Sequence, residues 1–427
     1  MRILLINQFY APDTAATGQL MGDLAGRLVA RGHEVHVICS RTAYGGGMLE
    51  HPAHELREGV HVHRLRGAGL GRTRLVGRLL DYVLFYLLAM VKALRLGRMD
   101  VCLALTTPPF IAKVGVWLKR LGGTRLVLWS MDVYPQVAVA LGYLRPRGPL
   151  HWLLTRAGRA IYRKCDRIIS LGEVMTQRLI EAGAAPEKIV TVHNWVPGES
   201  VAALAPGDSP LRASLCPHAD LAVMYSGNLG VGHELDTAVE AFASLNRPGA
   251  ALVFVGHGKM QTRLETMVRE KSLANISFQP SQPLELLGAS LAAGDIHLVS
   301  QRPQTQGLIV PSKLYGIMAA ARPVIFIGPP DTEVAAIIKQ SGCGLIVPCG
   351  DAAALAAAIG QLAADAGLRT RMGQAGQDYY RGKLGMVAST AAIAGAIEGV
   401  GEIPNHKIQI RNKSQEAKSQ TEIIGKA

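Results

Sequence analysis

The same alternation of short apolar runs and amphipathic segments occurs twice along this chain, and it constrains the fold more than any other feature. It runs from residue 2 to about residue 193, stops, and restarts at residue 221. Apolar runs that alternate with helical segments are typical of a parallel sheet covered by helices on both faces. A chain of 427 residues has room for two such domains. We therefore predict an α/β fold with two doubly wound, Rossmann-like domains.

The predicted strands are apolar runs, and helical segments such as Gly18–Arg31 and Pro108–Leu121 separate them. In the first section these runs are RILLINQF, HEVHVICS, GVHVHRL, DVCLALTT, RLVLWSM, RIISL and KIVTVHN. In the second section they are LAVMYSG, ALVFVGHG, NISFQP, DIHLVSQ, RPVIFIGP and CGLIVPC.

Composition sets the domain bounds. Residues 193–210 are rich in Pro, Gly, Ser and Asp, which predicts an interdomain linker. We predict domains at 1–200 and 210–379 that face each other across a cleft, where the carboxyl ends of the strands meet and a ligand binds. The last strong helical pattern covers about 368–399, and we assign no fold to the polar tail at 401–427.

Cysteine usage and the first residues predict a cytoplasmic protein. The six cysteines form no CxxC pair, which favours reduced, buried thiols. The start, MRILLINQFYAPD, has one basic residue and a short apolar run followed by turn residues. This pattern predicts a first buried strand and not a signal peptide.

The basic charge is concentrated in the first half of the chain. Residues 1–200 contain 26 Lys and Arg against 14 Asp and Glu, a net +12, whereas the rest of the chain has 19 against 18. Between Arg57 and Arg167 the count is 20 basic to 5 acidic residues. Such a field favours an anionic surface, either nucleic acid or a membrane inner leaflet. Nucleic acid is disfavoured because no recognition module accompanies the charge.

An apolar segment inside this basic region favours the membrane. Tyr82–Val91 is uncharged, with Arg72, Arg74 and Arg78 before it and Lys92, Arg95 and Arg98 after it. It is too short to span a bilayer, which takes about 20 residues, but suits a helix in the headgroup region. The alternative is a buried core helix with solvated ends. We expect a protein that associates peripherally with the inner face of the cell membrane.

The stretch QTQGLIVPSKLYGIMAAARPVIFIG (304–328) is the most informative for function. Pro311 and Ser312 predict a helix start, which places Lys313 in the first turn. A lysine there opposes the helix dipole, so helix stability does not explain it, whereas a bound pyrophosphate would. We assign Pro311, Ser312, Lys313 and Tyr315 to the binding site for a diphosphate donor, and Lys313 is also a catalytic candidate.

Glycine-rich turns follow two strands of the second section. Gly227, Asn228 and His233 lie in YSGNLGVGHEL (225–235), where the side chains can donate to phosphate oxygens. The spacing matches neither GxGxxG nor a P-loop, so it does not support a nicotinamide cofactor. Gly256 and Gly258, in VGHGK (255–259), are placed to meet a nucleobase. The alternative is a capping Asn and a surface His.

Two turns of the first section also carry candidates. In FYAPDTAATGQL, Thr17 is a candidate N-cap and Gly18 opens a helix whose amides could hold a phosphate, although a tight turn alone would also need these residues. In LWSMDVYPQ (128–136), Asp132 follows a buried strand and is a candidate for acceptor binding or general base. The alternative is a loop cap with an arginine partner.

No DxD pair and no His/Cys cluster occurs in the sequence, so we expect neither a metal nor a cofactor. A pyrophosphate leaving group would instead be neutralised by Lys313, His233, Asn228 and helix amides.

Three stretches together resemble the retaining family-4 glycosyltransferases, and more closely the bacterial branch of colanic acid, O-antigen and capsule assembly. These stretches are NQFYAPDTAATGQLMGDLAGRLVARGHEVHVIC, SGNLGVGHELDT and GLIVPSKLYGIMAAARPVIFIGPPDTE. The similarity covers about residues 1–400. It implies a GT-B fold, a nucleotide-diphosphate-sugar donor on the second lobe, an acceptor on the first, and a final helix at 380–400 that crosses back to the first lobe. It also implies front-face transfer, in which the donor phosphate assists deprotonation of the acceptor.

This sequence departs from the family pattern at four positions. Asn228 and His233 stand where many relatives have arginine and lysine. The two family glutamates correspond to Gln306 and Gly316, which leaves the donor ribose and sugar contacts without their usual ligands.

The resemblance implies a glycosyltransferase that acts on a UDP- or GDP-sugar and a lipid-linked saccharide, in exopolysaccharide, lipopolysaccharide or capsule synthesis. Two alternatives stay open at this point. One is a non-catalytic sugar-nucleotide-binding partner in a polysaccharide assembly complex, and the other is a sugar-nucleotide 2-epimerase of the same fold.

Overall fold

The computed structural model describes residues 1–43, 51–67, 75–197, 201, 204–245 and 247–399. The predicted tail at 401–427, Arg72 and Arg74 lie outside these residues. The first domain is built on an eight-stranded sheet in the order β3-β4-β2-β1-β5-β6-β7-β8. Its strands are β1 (Arg2–Ile6), β2 (Glu34–Ser40), β3 (His54–Arg57), β4 (Val60–Leu65), β5 (Val101–Ala104), β6 (Arg125–Trp129), β7 (Arg167–Ser170) and β8 (Ile189–Thr191). Its helices are α1 (Ala16–Ala30), α2 (Leu75–Arg95), α3 (Ala112–Gly122), α4 (Gln136–Ala140), α5 (Pro149–Lys164) and α6 (Glu173–Glu181).

The second domain is built on a six-stranded parallel sheet in the order β11-β10-β9-β12-β13-β14. Its strands are β9 (Leu221–Ser226), β10 (Ala250–Val255), β11 (Ile276–Gln279), β12 (Ile296–Ser300), β13 (Val324–Ile327) and β14 (Gly344–Val347). The helices from the linker onward are α7 (Arg212–Leu215), α8 (Asp236–Ser244), α9 (Gln261–Glu270), α10 (Leu287–Ala292), α11 (Lys313–Ala319), α12 (Glu333–Ser341), α13 (Ala352–Ala364), α14 (Ala366–Tyr379) and α15 (Met386–Glu398).

Both sheets are doubly wound, as predicted. Strand order reverses next to β1 in the first sheet and next to β9 in the second, and such a switch point is where open α/β sheets bind ligands. All thirteen predicted strands are present. Within the described ranges, the sequence missed one strand, β3, which pairs antiparallel to β4 at the sheet edge. Its four residues, HELR, are polar apart from the leucine and none is fully buried, so the strand has no apolar signal.

The predicted helix and linker bounds need three corrections. Helix α1 begins at Ala16, two residues before the predicted Gly18, and α3 begins at Ala112, four residues after the predicted Pro108. The predicted linker at 193–210 begins too early, because Trp195 is 1% exposed and stacks on Trp129 with 5.6 Å between ring centroids. Hydrophobic packing therefore extends the first domain into a segment whose composition suggested a loop.

The end of the described chain returns to the first domain. Ile393 and Ile397 of α15 belong to the hydrophobic core of that domain, and α15 packs against α1. The Glu398 carboxylate accepts hydrogen bonds from the Arg31 guanidinium at 2.7 and 2.6 Å. The hydrogen bond from Arg31 is the main reason that the pKa of Glu398 falls to about 2. The buried Ile393 and Ile397 side chains hold α15 against the first domain, and this partly exposed ion pair adds a smaller contribution.

Candidate functional site

The candidate site lies where loops at the carboxyl ends of the two sheets meet. The Val133 amide, after β6, donates to the Leu308 carbonyl, after β12, at 3.0 Å. Lys259, after β10, donates to the Tyr143 hydroxyl at 2.9 Å. These contacts bring the Asp132 loop of the first domain beside the segment that leads to Lys313.

Lys313 lies in this region, and none of the described residues provides a counter-ion for it. Its side chain keeps some exposed surface, but its ammonium nitrogen is buried and has no hydrogen-bond partner within the described residues. This nitrogen is 3.5 Å from the centroid of the Tyr225 ring, which stabilises the charge by a cation–π interaction. Burial lowers the pKa of Lys313 well below its usual value. A buried cation in this state gains strongly from an anionic ligand.

The glycines of the two turns allow the loops to approach each other and Lys313. Gly227 has φ +126°, and a Cβ there would lie 3.4 Å from Lys313 Cε. Gly256 has φ +129°, and a Cβ would overlap the Gly227 carbonyl. A Cβ at Gly258 would overlap the Leu229 carbonyl. Backbone packing therefore requires Gly256 and Gly258, and their contact with a nucleobase stays a prediction.

The two predicted phosphate ligands after β9, Asn228 and His233, lie in different surroundings. Asn228 is exposed, so its amide is available to a ligand. His233 donates from Nδ1 to the Ser300 carbonyl at 2.8 Å. Burial and then the nearby Lys313 charge lower the pKa of His233 to about 3, which leaves the ring neutral. In the free protein the remaining ring nitrogen is an acceptor, so the predicted role of His233 toward a phosphate requires that the ring gain a proton when the ligand binds, and it stays a prediction.

The residues around Lys313 divide into exposed and buried groups. Helix α11 begins at Lys313, close to the predicted start, and Ser312 at its N-cap is exposed. Pro311 is buried. Tyr315 has no exposed surface and packs in a core cluster of the second domain. Its assignment to donor binding is therefore corrected to a packing role, because a ligand cannot reach its side chain in this arrangement.

The first turn of the chain differs from the predicted phosphate site. Ala15 precedes α1 and no side chain caps the helix, so Thr17 is not the N-cap. Gly18 is buried in the first turn, where a Cβ would lie 3.1 Å from the backbone of Phe9 and Tyr10. Close packing of the β1–α1 loop on the helix explains this glycine.

Asp132 lies in a small pocket at the end of β6, a cavity of about 20 Å³ that has room for about one water molecule. The pocket is lined mainly by apolar and aromatic groups, including Phe110, Tyr134 and Tyr162. The backbone amide of Asp132 donates to the Thr106 hydroxyl at 3.2 Å, which fixes the loop. Burial raises the pKa of Asp132 to about 6. In the part of the chain that the structure covers, no arginine pairs with this carboxyl group, which argues against the loop-cap alternative.

Gln306 and Gly316, which stand at the positions of the two family glutamates, make structural contacts in this protein. The Gln306 amide donates to the Asp331 carbonyl at 2.7 Å. Gly316 is buried in α11, and a Cβ there would lie 3.2 Å from Leu291. Gly316 therefore serves packing between α11 and its neighbour.

Sequence reasoning missed a buried acid between the domains. Glu333, at the start of α12, is 8% exposed, and burial raises its pKa to about 7. Its Oε1 lies 3.6 Å from Nδ1 of His193 in the first domain, and Oε2 accepts from the Val174 amide at 3.5 Å. The Thr332 side chain caps α12 by accepting from the Ala335 amide, but this local signal does not indicate the contact with His193.

Two protein families match the chain. A glycosyl transferase 4-like domain covers residues 16–195, and a glycosyl transferases group 1 domain covers residues 212–379. The chain is a glycosyltransferase with these two domains. The boundary between the matches falls in the segment that joins the two sheets.

The glycosyltransferase is also similar to individual proteins. It is 27% identical over 380 residues to WcaI of Escherichia coli (strain K12), which is assigned as a colanic acid biosynthesis glycosyl transferase, covering 84% of this chain and 92% of WcaI. Its fold is similar to sucrose-phosphate synthase from Thermosynechococcus elongatus, with a TM-score of 0.75 and 18% identity over 93% of this chain and 98% of that one. Anabaena HepE in complex with UDP-glucose gives a TM-score of 0.70 and 16% identity over 94% and 100%. The fold is GT-B.

Replacement of Lys313 tests the anion site. We expect Lys313→Met to weaken UDP binding by about 10- to 100-fold, since a hydrogen bond to a charged group contributes about 1.5–3 kcal/mol. The Tm of the free protein should not fall, because the substitution removes an uncompensated buried charge. Isothermal titration calorimetry and differential scanning calorimetry measure the two quantities. Lys339→Met is the matched control, since Lys339 is exposed and donates to the Pro330 carbonyl. Equal UDP affinity in both variants would contradict the assignment.

Proposed function

We propose that this glycosyltransferase moves a sugar from a UDP- or GDP-sugar to a lipid-linked saccharide in cell-surface polysaccharide biosynthesis. Transfer retains the anomeric configuration and needs no metal ion. It takes place at the inner face of the cell membrane, where the protein is bound peripherally. The acceptor binds to the first domain and the nucleotide sugar to the second.

The observation that carries the proposal is the buried Lys313 ammonium, which lacks an anionic partner within the described chain. A diphosphate supplies two negative charges at such a site. When the glycosidic bond to the donor breaks, negative charge increases on the leaving diphosphate. A fixed ammonium beside that oxygen stabilises the transition state more than the ground state, which is the condition for catalysis.

Asp132 is proposed to hold the acceptor. Its carboxyl group lies in an apolar pocket of the first domain, and its pKa of about 6 leaves it mainly ionised at neutral pH. An ionised carboxylate accepts a hydrogen bond from the acceptor hydroxyl, which orients that oxygen and increases its electron density. The proton of the hydroxyl then passes to the donor phosphate, in the front-face transfer that the family resemblance implies.

The proteins to which the chain is similar support the substrate classes. WcaI is assigned to colanic acid biosynthesis, and HepE was solved with UDP-glucose. The excess of basic residues in the first half supports a membrane-bound acceptor. Gln306 and Gly316, in place of the family glutamates, favour the alternative of a non-catalytic sugar-nucleotide-binding partner, so turnover is the deciding measurement.

The direct test is incubation of the purified protein with UDP- and GDP-sugars and a polyprenyl-diphosphate-linked saccharide. We expect nucleotide diphosphate release that depends on the acceptor and persists in EDTA, with the product linkage of the same anomeric configuration as the donor by NMR. Donor binding without turnover for every pair would contradict transfer and favour the binding partner. Conversion of the free sugar nucleotide without an acceptor would favour the 2-epimerase.

The pH dependence of turnover tests Asp132. Because the ionised form is the active one, we expect kcat to rise with pH through about 6 in the native protein, following the raised pKa of Asp132. Asp132→Asn should remove this rise and lower kcat about 100-fold or more, since such groups contribute about 10²–10⁴-fold. UDP affinity serves as the control and should be unchanged. A native pH profile in the variant would show that Asp132 has no such role.

A further inference from the structure

Exposed large hydrophobic side chains are concentrated on three helices of the first domain. Ten of the sixteen such residues in the described chain lie on α2, α3 and α5. Scattered single apolar residues on a protein surface are ordinary, but a group of this size on neighbouring helices marks an interaction surface. Helix α3 packs against both α2 and α5, so the three form one continuous layer.

Helix α2 is apolar on two opposite sides. Phe85, Ala89 and Ala93 are at most 4% exposed and belong to the domain core. A second set of side chains is 44–61% exposed, and its spacing of three and four places it on one helix face. This set consists of Leu80, Val83, Leu87, Val91 and Leu94. Core packing explains the first side only. The sequence left two alternatives for Tyr82–Val91, a core helix or a membrane helix. The structure shows that each alternative describes one side of the same helix.

Helices α3 and α5 extend this apolar face with tryptophans. Trp117 and Leu121 of α3 are 43% and 66% exposed, and Leu150, Trp152 and Leu153 of α5 are 55–63% exposed. Both indole rings are accompanied by a cation, since the guanidinium carbons of Arg120 and Arg156 lie 5.5 and 5.8 Å from the ring centroids. Tryptophan beside arginine is typical of side chains at a membrane–water interface.

The charge on these helices identifies the partner. The three helices contain ten Lys and Arg and one acidic residue, Asp81 of α2. Two copies of such a face would repel each other, whereas a bilayer with anionic headgroups attracts it. Among the described residues, none of the helices is long and apolar enough to cross a membrane. The face therefore fits binding in the plane of the headgroups.

We propose that α2, α3 and α5 together form a membrane-docking face that inserts Trp117 and Trp152 into an anionic bilayer. This rests on the proposed function and deepens it by naming the surface that meets the membrane. Ala112 of α3 and Ile161 of α5 line the Asp132 pocket, so the docked helices also wall the acceptor site. A lipid-linked acceptor then keeps its lipid in the bilayer while the reacting hydroxyl of its saccharide approaches the mouth of that pocket.

Vesicle binding by the full-length protein tests the proposal. We expect co-sedimentation with phosphatidylglycerol-containing vesicles, weaker in high salt, and little with phosphatidylcholine alone. Brominated phosphatidylcholine mixed into the vesicles should quench tryptophan fluorescence. Because Trp129 and Trp195 are 0% and 1% exposed, the quenched signal should disappear in Trp117→Phe/Trp152→Phe. Absence of binding, or quenching that survives this double substitution, would overturn the proposal.

A matched pair of variants tests the location of the face. Val83→Ser/Leu87→Ser/Trp152→Ser should weaken vesicle binding by about tenfold or more and keep native UDP affinity, which shows that the fold is intact. Leu284→Ser/Leu286→Ser removes apolar groups that are 41% and 39% exposed on the second domain and should bind vesicles normally. Equal losses in both variants would overturn the location. Gel filtration of both proteins tests self-association. A dimeric native protein and a monomeric triple variant, with equal vesicle binding, would overturn the docking face in favour of a self-association surface.

Water-soluble acceptor analogues separate the two proposals. Turnover of such an analogue without vesicle binding would overturn the docking face and leave the transferase function standing. Vesicle binding with no turnover of any acceptor would overturn the function and leave the docking face standing.

Discussion

The functional account depends on one buried ammonium group, that of Lys313. The charge has only the face of the Tyr225 ring as a neighbouring favourable group among the described residues, at 3.5 Å from the centroid. Burial of a cation without an anion is costly, and folded proteins rarely retain such a group without a function. The position of the nitrogen beside Gly227, at a switch point of the second sheet, is where a nucleotide binds in this class of fold. Fold and charge therefore both support the proposed ligand, a nucleotide diphosphate.

Much of the fold could be predicted because its signals are local. Parallel strands buried on both faces are continuous apolar runs, and thirteen of them were found from the sequence. The exception, β3, is a polar edge strand without such a signal. The packing of Trp195 and the start of α1 at Ala16 were also missed, since tertiary contacts decide them and local composition does not.

The candidate site was predictable only in part. Lys313 could be found because a lysine in the first helical turn conflicts with the helix dipole, and the structure shows its ammonium group buried. The neutral state of His233 could not be predicted, because it depends on burial and on the nearby charge of Lys313, which is distant in sequence. The contact between Glu333 and His193 likewise joins two domains and has no local signal. The buried and the exposed apolar sides of α2 could not be told apart either, because packing against distant residues decides which side is buried.

The free energy that Lys313 gains on ligand binding can be measured through its titration. Selective isotope labelling of lysine, with Lys313→Met to assign the resonance, allows NMR to follow the ammonium group against pH with and without UDP. The account predicts that burial holds the pKa of Lys313 well below its usual 10.5 in the free protein. It further predicts that UDP moves this pKa upward, because the diphosphate stabilises the charged form. An ordinary pKa in the free protein that UDP leaves unchanged would contradict the central claim.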